Sequence, residues 1–169
     1  MRLTLAVKMG IVFGLLILMI LGSNIIGISM LSSVNGISEE MRTNILPSVQ
    51  WLGRIEASQT EVVGRMFRYV AAIGVYEMDS VEKELQESMA EVNRSFQAFE
   101  PLISSDEERS LYDDMRKAWS AFLAAELKVI SLSRDEKRLD AGRVAAVEAD
   151  PLYKKSREAT RKLVELNVR

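Results

Sequence analysis

The sequence predicts an all-α fold, an up-down-up-down antiparallel four-helix bundle preceded by an N-terminal transmembrane helix. Residues 9–38 carry no charged side chain, and this run stays apolar to about Leu31. A membrane-spanning helix needs roughly 20 such residues. From Glu39 onwards apolar residues recur at steps of three and four, which is the period of an α-helix. Short turn signals divide this remainder into four segments, and no run of alternating β-branched residues competes with helix.

The predicted organisation has three parts: a cytoplasmic N-terminus over residues 1–8, a transmembrane helix over residues 9–31 and a helical domain over residues 32–169. A cleaved signal peptide is the alternative for the apolar run, but its apolar core would be only about 7–15 residues long. Arg2 and Lys8 precede the run, and basic residues tend to stay on the cytoplasmic side. We therefore expect the helical domain to lie outside the cytoplasm.

The first bundle helix belongs to a long helical pattern from Ser32 to Val75. Pro47 should bend or interrupt this pattern, because proline has no backbone N–H and crowds the preceding turn. Asn44 is the candidate end of the helix that precedes it. The predicted apolar seam consists of Leu52, Ile55, Gln59, Val62, Met66, Tyr69 and Ile73.

The second helix is predicted to follow a turn around Gly74–Ser80. Asp79 is the expected N-cap, with Glu82 three residues later as the reciprocal partner of a capping box. The helix should end near Phe99, since Pro101 follows and the residue before a proline avoids the helical region.

The third helix begins with a clear capping signal, Ser105 with Glu108 three residues later. Its seam continues to either Glu126 or Leu127, which the spacing alone does not separate. The next turn should fall within Ser133–Asp140. The last helix follows with the seam Val144, Val147, Leu152, Ala159, Leu163 and Leu166.

Asp150-Pro151 lies inside the last helix and predicts a kink or a short break. With four helices in this topology, the last one points back towards the bilayer, so a second membrane span is expected beyond Arg169.

The composition excludes several function classes. The chain has no cysteine and no histidine, which removes disulfides, thiol chemistry and the commonest general base and metal ligand. It also lacks a glycine-rich phosphate loop and a metal-spaced cluster. The formal net charge of −2 gives the chain no polyanion-binding character. We expect a protein that is not an enzyme, needs no cofactor or metal and binds no nucleic acid.

Several segments together resemble the four-helix-bundle sensor domain of bacterial methyl-accepting chemotaxis proteins. They are Asn44-Ile-Leu-Pro-Ser-Val, Leu52-Gly-Arg-Ile, Arg65-Met-Phe-Arg-Tyr, Asp140-Ala-Gly-Arg-Val-Ala-Ala and Leu163-Val-Glu-Leu-Asn. The resemblance covers nearly the whole chain. It implies a sensory input module of a transmembrane chemoreceptor in the bacterial inner membrane, with a single span in this chain and a periplasmic sensor domain. It also implies a homodimer through the first helix, and a signal transmitted by helix movement.

The resemblance implies a ligand site for a small organic acid or amino acid, at Arg65, Arg68 and Tyr69 of the first helix and Arg143 of the fourth. A guanidinium group can donate two parallel hydrogen bonds to a carboxylate. The alternative for Arg65 is a simple pair with Glu61 four residues earlier. At 100° per residue the first-helix members share a polar stripe that should flank the core: Arg54, Ser58, Glu61, Arg65, Arg68, Tyr69, Ala72 and Tyr76.

Other functions stay open at the level of the sequence. The same module can be the input domain of a sensor histidine kinase or of a cyclic-dinucleotide enzyme. A membrane-anchored helical bundle that binds another protein is a further alternative. The ligand itself can be sensed directly or through a binding protein.

Overall fold

The computed structural model of the protein describes residues 9, 13–14, 18–19, 34–36 and 38–168. The chain divides into two compact units between Thr43 and Asn44. The predicted N-terminus over residues 1–8, and the transmembrane helix over residues 9–31 apart from residues 9, 13–14 and 18–19, lie outside the described residues. Within the part that is described, no helix is both long enough and apolar enough to cross a bilayer. In the first unit Arg42 pairs with Glu39 at 2.8 Å.

The second unit is built from helices alone over residues 44–168. Its α-helices are α1 (Leu46–Ala71), α2 (Val75–Phe99), α3 (Asp106–Arg134), α4 (Arg138–Val144) and α5 (Asp150–Asn167). A π-helical turn over Met41–Ile45 precedes α1, and a short 3-10 turn over Glu100–Leu102 follows α2. A second π-helical turn, Ala145–Ala149, joins α4 to α5. These last three segments together are the fourth rod of the bundle.

Contacts at one end of the bundle establish its antiparallel topology. Asn44, at the start of the first rod, donates from Nδ2 to the carbonyl of Leu102 at 2.9 Å, just beyond the end of α2. Asn167, the last residue of α5, donates from Nδ2 to Glu108 at 2.7 Å in the first turn of α3. Rod one, formed by α1, therefore runs opposite to rod two, formed by α2, and rod three, formed by α3, runs opposite to rod four. The predicted four-helix bundle is confirmed.

The core lies along the seam where the four rods meet, and most of the predicted seam residues are buried there. Aromatic rings fill its wider layers: Trp119 stacks on Phe122 at a centroid distance of 4.7 Å. The fourth rod contributes mainly small residues, which let it approach its neighbours closely. Its fully buried apolar members are Ala141, Ala145, Ala149 and Leu163.

Both predicted proline interruptions are present and take the same form. Pro47 and Pro151 each lie in the first turn of an α-helix that follows directly on a π-helical turn. A proline provides no N–H to the preceding turn and its ring crowds the carbonyl four residues earlier. The wider π-helical turn accommodates both effects, so the fourth rod continues through Pro151 with a local change of pitch.

The predicted cap of α2 is wrong. The turn is completed at Gly74, whose φ of 90° is a conformation that favours glycine, and α2 begins at the next residue. Glu77 then accepts a hydrogen bond from the backbone N–H of Ile73 at 2.8 Å. Asp79 lies inside the helix instead, where it pairs with Arg134 of α3 at 2.9 Å.

The prediction is also wrong for two seam residues, and the structure decides between the two alternatives that were left open on α3. Ile73 is 78% exposed because α1 has already ended. Val147 is 68% exposed because the π-helical turn holds more residues per turn than an α-helix, so α-helical spacing does not give the face on which Val147 lies. On α3 the buried residue of the adjacent pair is Glu126, while Leu127 is 67% exposed.

Candidate functional site

The structure brings two of the predicted ligand-binding arginines together at one carboxylate. Arg65 and Arg68 lie one turn apart on α1, and both donate to Oε2 of Glu84 on α2. The distances are 3.4 Å from Arg65 Nε and 2.8 Å from Arg68 Nη1. The side chain of Arg68 is 60% exposed and that of Arg65 only 26%. Arg68 is thus the member of the pair that solvent or a ligand reaches more easily.

The arginine pair is balanced by two carboxylates. The hydrogen bond from Arg68, with a smaller contribution from Arg65, holds the pKa of Glu84 below its ordinary value. Arg65 also donates from Nη1 to Glu61 at 3.0 Å, the pair that the sequence offered as the alternative to a ligand contact. Two cations therefore face two anions. A ligand with both a carboxylate and an ammonium group, such as an amino acid, could replace contacts between these arginine and glutamate side chains. No charge would then be left unpaired.

Tyr69 does not join this cluster. Its ring is fully buried in a small core cluster near the turn between α1 and α2. Its hydroxyl lies 3.4 Å from Glu82, which is long for a hydrogen bond, and Glu82 in turn pairs with Arg134 at 2.6 Å. Burial raises the pKa of the Tyr69 hydroxyl. This second cluster links α1, α2 and α3. The sequence indicated Glu82 as a capping partner and not as a member of such a cluster, and it did not indicate Arg134.

Arg143 also lies apart from the arginine pair. It is on α4, its side chain is 74% exposed, and it donates to Asp140 three residues earlier at 3.1 Å. Among the described residues there is no group of carboxylates arranged to hold a metal ion.

The polar stripe of α1 proves to be divided between three surroundings. Ser58 and Ala72 are buried, and Tyr76 belongs to α2, where it is 91% exposed. Arg54 turns towards α2, where it lies 3.6 Å from Glu91. The charged part of the stripe thus follows the α1–α2 groove.

A different face of α1 is open. It carries mostly small residues at alternating steps of four and three, the spacing of a heptad seam. Its members, all exposed, are Gly53, Ala57, Thr60, Gly64, Phe67 and Ala71. A Cβ atom built on Gly53 or Gly64 would meet nothing within 4 Å. We call this set the small-residue stripe. The signal for it was present in the sequence as two glycines and two alanines in heptad positions.

The small-residue stripe passes next to the arginine pair. Gly64 is four residues before Arg68, and Phe67 immediately precedes it, so Arg68 lies at the edge of the stripe. A helix that packed on the stripe would cover part of the exposed guanidinium group. The site defined by α1 is therefore a flat helical face with a guanidinium group at its border.

The antiparallel four-helix bundle agrees with the sequence comparisons. A family described as "four helix bundle sensory module for signal transduction" matches residues 2–169, and the chain belongs to this family. Among curated proteins, the chain is similar to the provisionally named sensory transducer protein YvaQ of Bacillus subtilis (strain 168), with 22% identity over 167 residues. The match covers 99% of this chain and 29% of that relative.

Proposed function

We propose that this chain is the ligand-sensing input module of a transmembrane chemoreceptor, without catalytic activity of its own. The observation that carries the proposal is the small-residue stripe with Arg68 at its border, on a bundle of the sensory-module family. Two copies packed through this stripe would bring two arginine pairs to one interface. The name of the relative favours a chemoreceptor over a histidine kinase or a cyclic-dinucleotide enzyme.

The proposed location is the bacterial inner membrane, with residues 9–31 as a single span and the bundle in the periplasm. The uncharged run over residues 9–38 and the basic residues Arg2 and Lys8 before it support this orientation. The domain limits proposed from the sequence, residues 1–8, 9–31 and 32–169, follow from the same argument.

The homodimer is proposed to form through the first helix. Small residues in heptad positions allow two helix backbones to approach closely and to exclude water from the contact. The chain has no native cysteine, so a single cysteine reports the contact directly. In the full chain, kept in mild detergent, Gly64→Cys should form a disulfide-linked dimer on oxidation. Ala90→Cys, on the exposed face of α2, is the matched control.

A cross-linking yield from Gly64→Cys no higher than that from Ala90→Cys would exclude the stripe as the dimer contact. Ala57→Cys offers a second position on the same stripe and should likewise form a disulfide with the same residue of the partner, with a higher yield than the control.

The proposed ligand is a small carboxylate or an amino acid, bound at the arginine pair. Arg68 would donate to the ligand carboxylate, and an ammonium group would take the place of a guanidinium on Glu84 or Glu61. Titration calorimetry of the full chain with amino acids and small organic acids tests this. Arg68→Ala and Arg65→Ala should each weaken binding by about tenfold or more, since hydrogen bonds to charged groups contribute about 1.5–3 kcal/mol.

Arg94→Ala is the matched control for the ligand, because the exposed Arg94 on α2 pairs with a carboxylate of its own helix, Glu91, and lies outside the arginine pair. Arg143→Ala tests whether the fourth rod takes part. If both first-helix variants bind a ligand as tightly as the unchanged chain, the arginine pair is not the site. If no compound of either class binds, direct sensing of these ligands is wrong and a binding protein becomes the alternative.

The proposed signal is a shift of the fourth rod relative to α1. Shifts of about 1–2 Å at packed helix interfaces are a known mode of switching. The ligand must bind the two arrangements with different affinity for any signal to result. The contacts between α1 and α5 include an exposed ion pair between Arg157 and Glu56 at 2.6 Å. An exposed pair of this kind can re-form after a small shift of the two helices.

A further inference from the structure

Glu126 is a carboxyl group in the core of the bundle. It lies on α3, one turn from the fully buried Phe122 and Val129, and only 2% of its surface is exposed. Its Oε1 atom has no hydrogen-bond partner within the described part of the chain. Buried carboxylates are almost always paired, because a charge without a partner is costly to remove from water. A neutral acid group avoids most of that cost.

Several charged and titratable groups on the elements that pack around α3 form contacts with partners other than Glu126. The contacts are Arg65–Glu84, Tyr69–Glu82, Arg134–Glu82, Lys128–Glu148, Arg143–Asp140, Lys154–Asp150 and Thr60–Tyr153. They connect α1 with α2, α3 with α2, and the fourth rod with α3 and with α1, and two of them lie within α4 and within α5. Burial is the cause that raises the pKa of Glu126, to about 7.

We propose that Glu126 is a proton-dependent packing element: the neutral acid is compatible with the packed core, and its ionisation loosens α3 against the neighbouring rods. The bundle would then shift from a tighter to a looser packing as the pH rises through the neutral range. The ligand in this case is the proton, and the site is distinct from the arginine pair on α1. The inference therefore stands or fails independently of the proposed carboxylate ligand.

The direction of the pH effect follows from the sign of the shift. The pKa of Glu126 is higher in the folded chain than in the unfolded chain, so between about pH 4.5 and about pH 7 the folded state binds more protons. Stability is then greatest at the acid end of this window and falls as the pH rises. The unfolding equilibrium constant should increase by up to about tenfold per pH unit and level off above about pH 7.

Four other glutamates of the described residues have pKa values that are shifted in the opposite direction from that of Glu126. The pKa values of Glu84, Glu91, Glu108 and Glu158 all lie below the ordinary value. Each of these four groups therefore ionises at a lower pH than Glu126.

The test is urea denaturation of the full chain in mild detergent from about pH 5 to about pH 8. The unchanged chain should lose stability across this range, and Glu126→Gln, which cannot ionise, should lose little. Glu87→Gln on the exposed face of α2 is the matched control and should behave as the unchanged chain. If Glu126→Gln keeps the slope of the unchanged chain, the proposal is wrong.

A second measurement covers the case in which Glu126→Gln does not fold. The unchanged chain is labelled with ¹³C at the glutamate carboxyl carbons and titrated by NMR. One resonance should titrate near pH 7, well apart from the others. If every glutamate resonance titrates below about pH 5.5, as unperturbed or ion-paired carboxylates do, the proposal is overturned.

Discussion

Gln59 of α1 and Ser156 of α5 are both fully buried and form a hydrogen bond across the bundle, from Gln59 Nε2 to Ser156 Oγ at 3.1 Å. The carbonyl of Met115 on α3 lies 3.4 Å from the same hydroxyl. Three of the four rods thus meet at one polar layer. Such a layer favours one register of the helices, because a shifted register would leave buried polar groups unpaired.

Removing one member of this layer should cost more than removing the interaction itself. Gln59→Ala should lower the free energy of unfolding by about 2–4 kcal/mol, through the lost volume and a less satisfied Ser156 hydroxyl. Ser156→Ala should cost about 1–2 kcal/mol. Urea denaturation of both variants and of the double variant measures the coupling. We expect a coupling of about 1 kcal/mol, and strictly additive effects would contradict the pairing.

The capping box of α3 should contribute measurably to stability. Ser105 Oγ accepts the backbone N–H of Glu108 at 3.1 Å, and the Glu108 carboxylate accepts the N–H of Ser105 at 3.1 Å. Ser105→Ala should reduce the free energy of unfolding by about 1 kcal/mol. Ser110→Ala, at an exposed position of the same helix, is the control and should change it by less than about 0.5 kcal/mol. If Ser105→Ala and Ser110→Ala changed the free energy of unfolding equally, the capping box would contribute nothing to stability.

The bundle could be predicted because its determinants are local. The Ser105–Glu108 box and the interruptions at Pro47 and Pro151 each depend on a few neighbouring residues, and the structure confirms them. The prediction of the α2 N-cap was wrong although the sequence around Asp79 fits a capping box. The turn ends five residues earlier, at Gly74, which has a positive φ.

The candidate site was only partly predictable, because its contacts depend on helix rotation. The spacing placed Arg65 and Arg68 on one side of α1. It could not identify the carboxylate on α2 to which both side chains donate. Glu126 and Leu127 are about 100° apart on α3, and the packing of the other rods decides which is buried. Spacing along a single helix does not contain that information.

Two glycines should respond in opposite directions to the same substitution. Gly74→Ala places a Cβ atom in a left-handed turn and should destabilise the bundle by about 1–2 kcal/mol. Within a single bundle Gly64→Ala meets open space in the middle of α1 and should stabilise the dissociated monomer by about 0.5–1 kcal/mol, since alanine favours helix. Thermal unfolding of the two variants provides the comparison. A gain from Gly74→Ala would mean that the turn is not formed as described.

Glu108 should give the bundle a stability that is lost in acid. Burial acts to raise the pKa of Glu108, but hydrogen bonds from Ser104, Asn167 and Ser105 outweigh it, and the pKa lies below the ordinary value. The folded state therefore binds fewer protons than the unfolded state near pH 4.5. The contribution is fully present above that pH and is lost as the pH falls through the lowered pKa.

Glu108→Gln tests this, because an amide of the same shape keeps the packing but loses the charge. At neutral pH the variant should be less stable by about 1.5–3 kcal/mol, the range for hydrogen bonds to a charged group. Its stability should also fall less steeply below about pH 4.5. Glu107→Gln, at the exposed neighbouring position, keeps the acid response of the unchanged chain. Because Asn167 donates to Glu108 at 2.7 Å, hydrogen exchange at the end of α5 should rise in Glu108→Gln and stay unchanged in the control. An unaltered exchange rate there would show that Glu108 does not hold the end of the fourth rod.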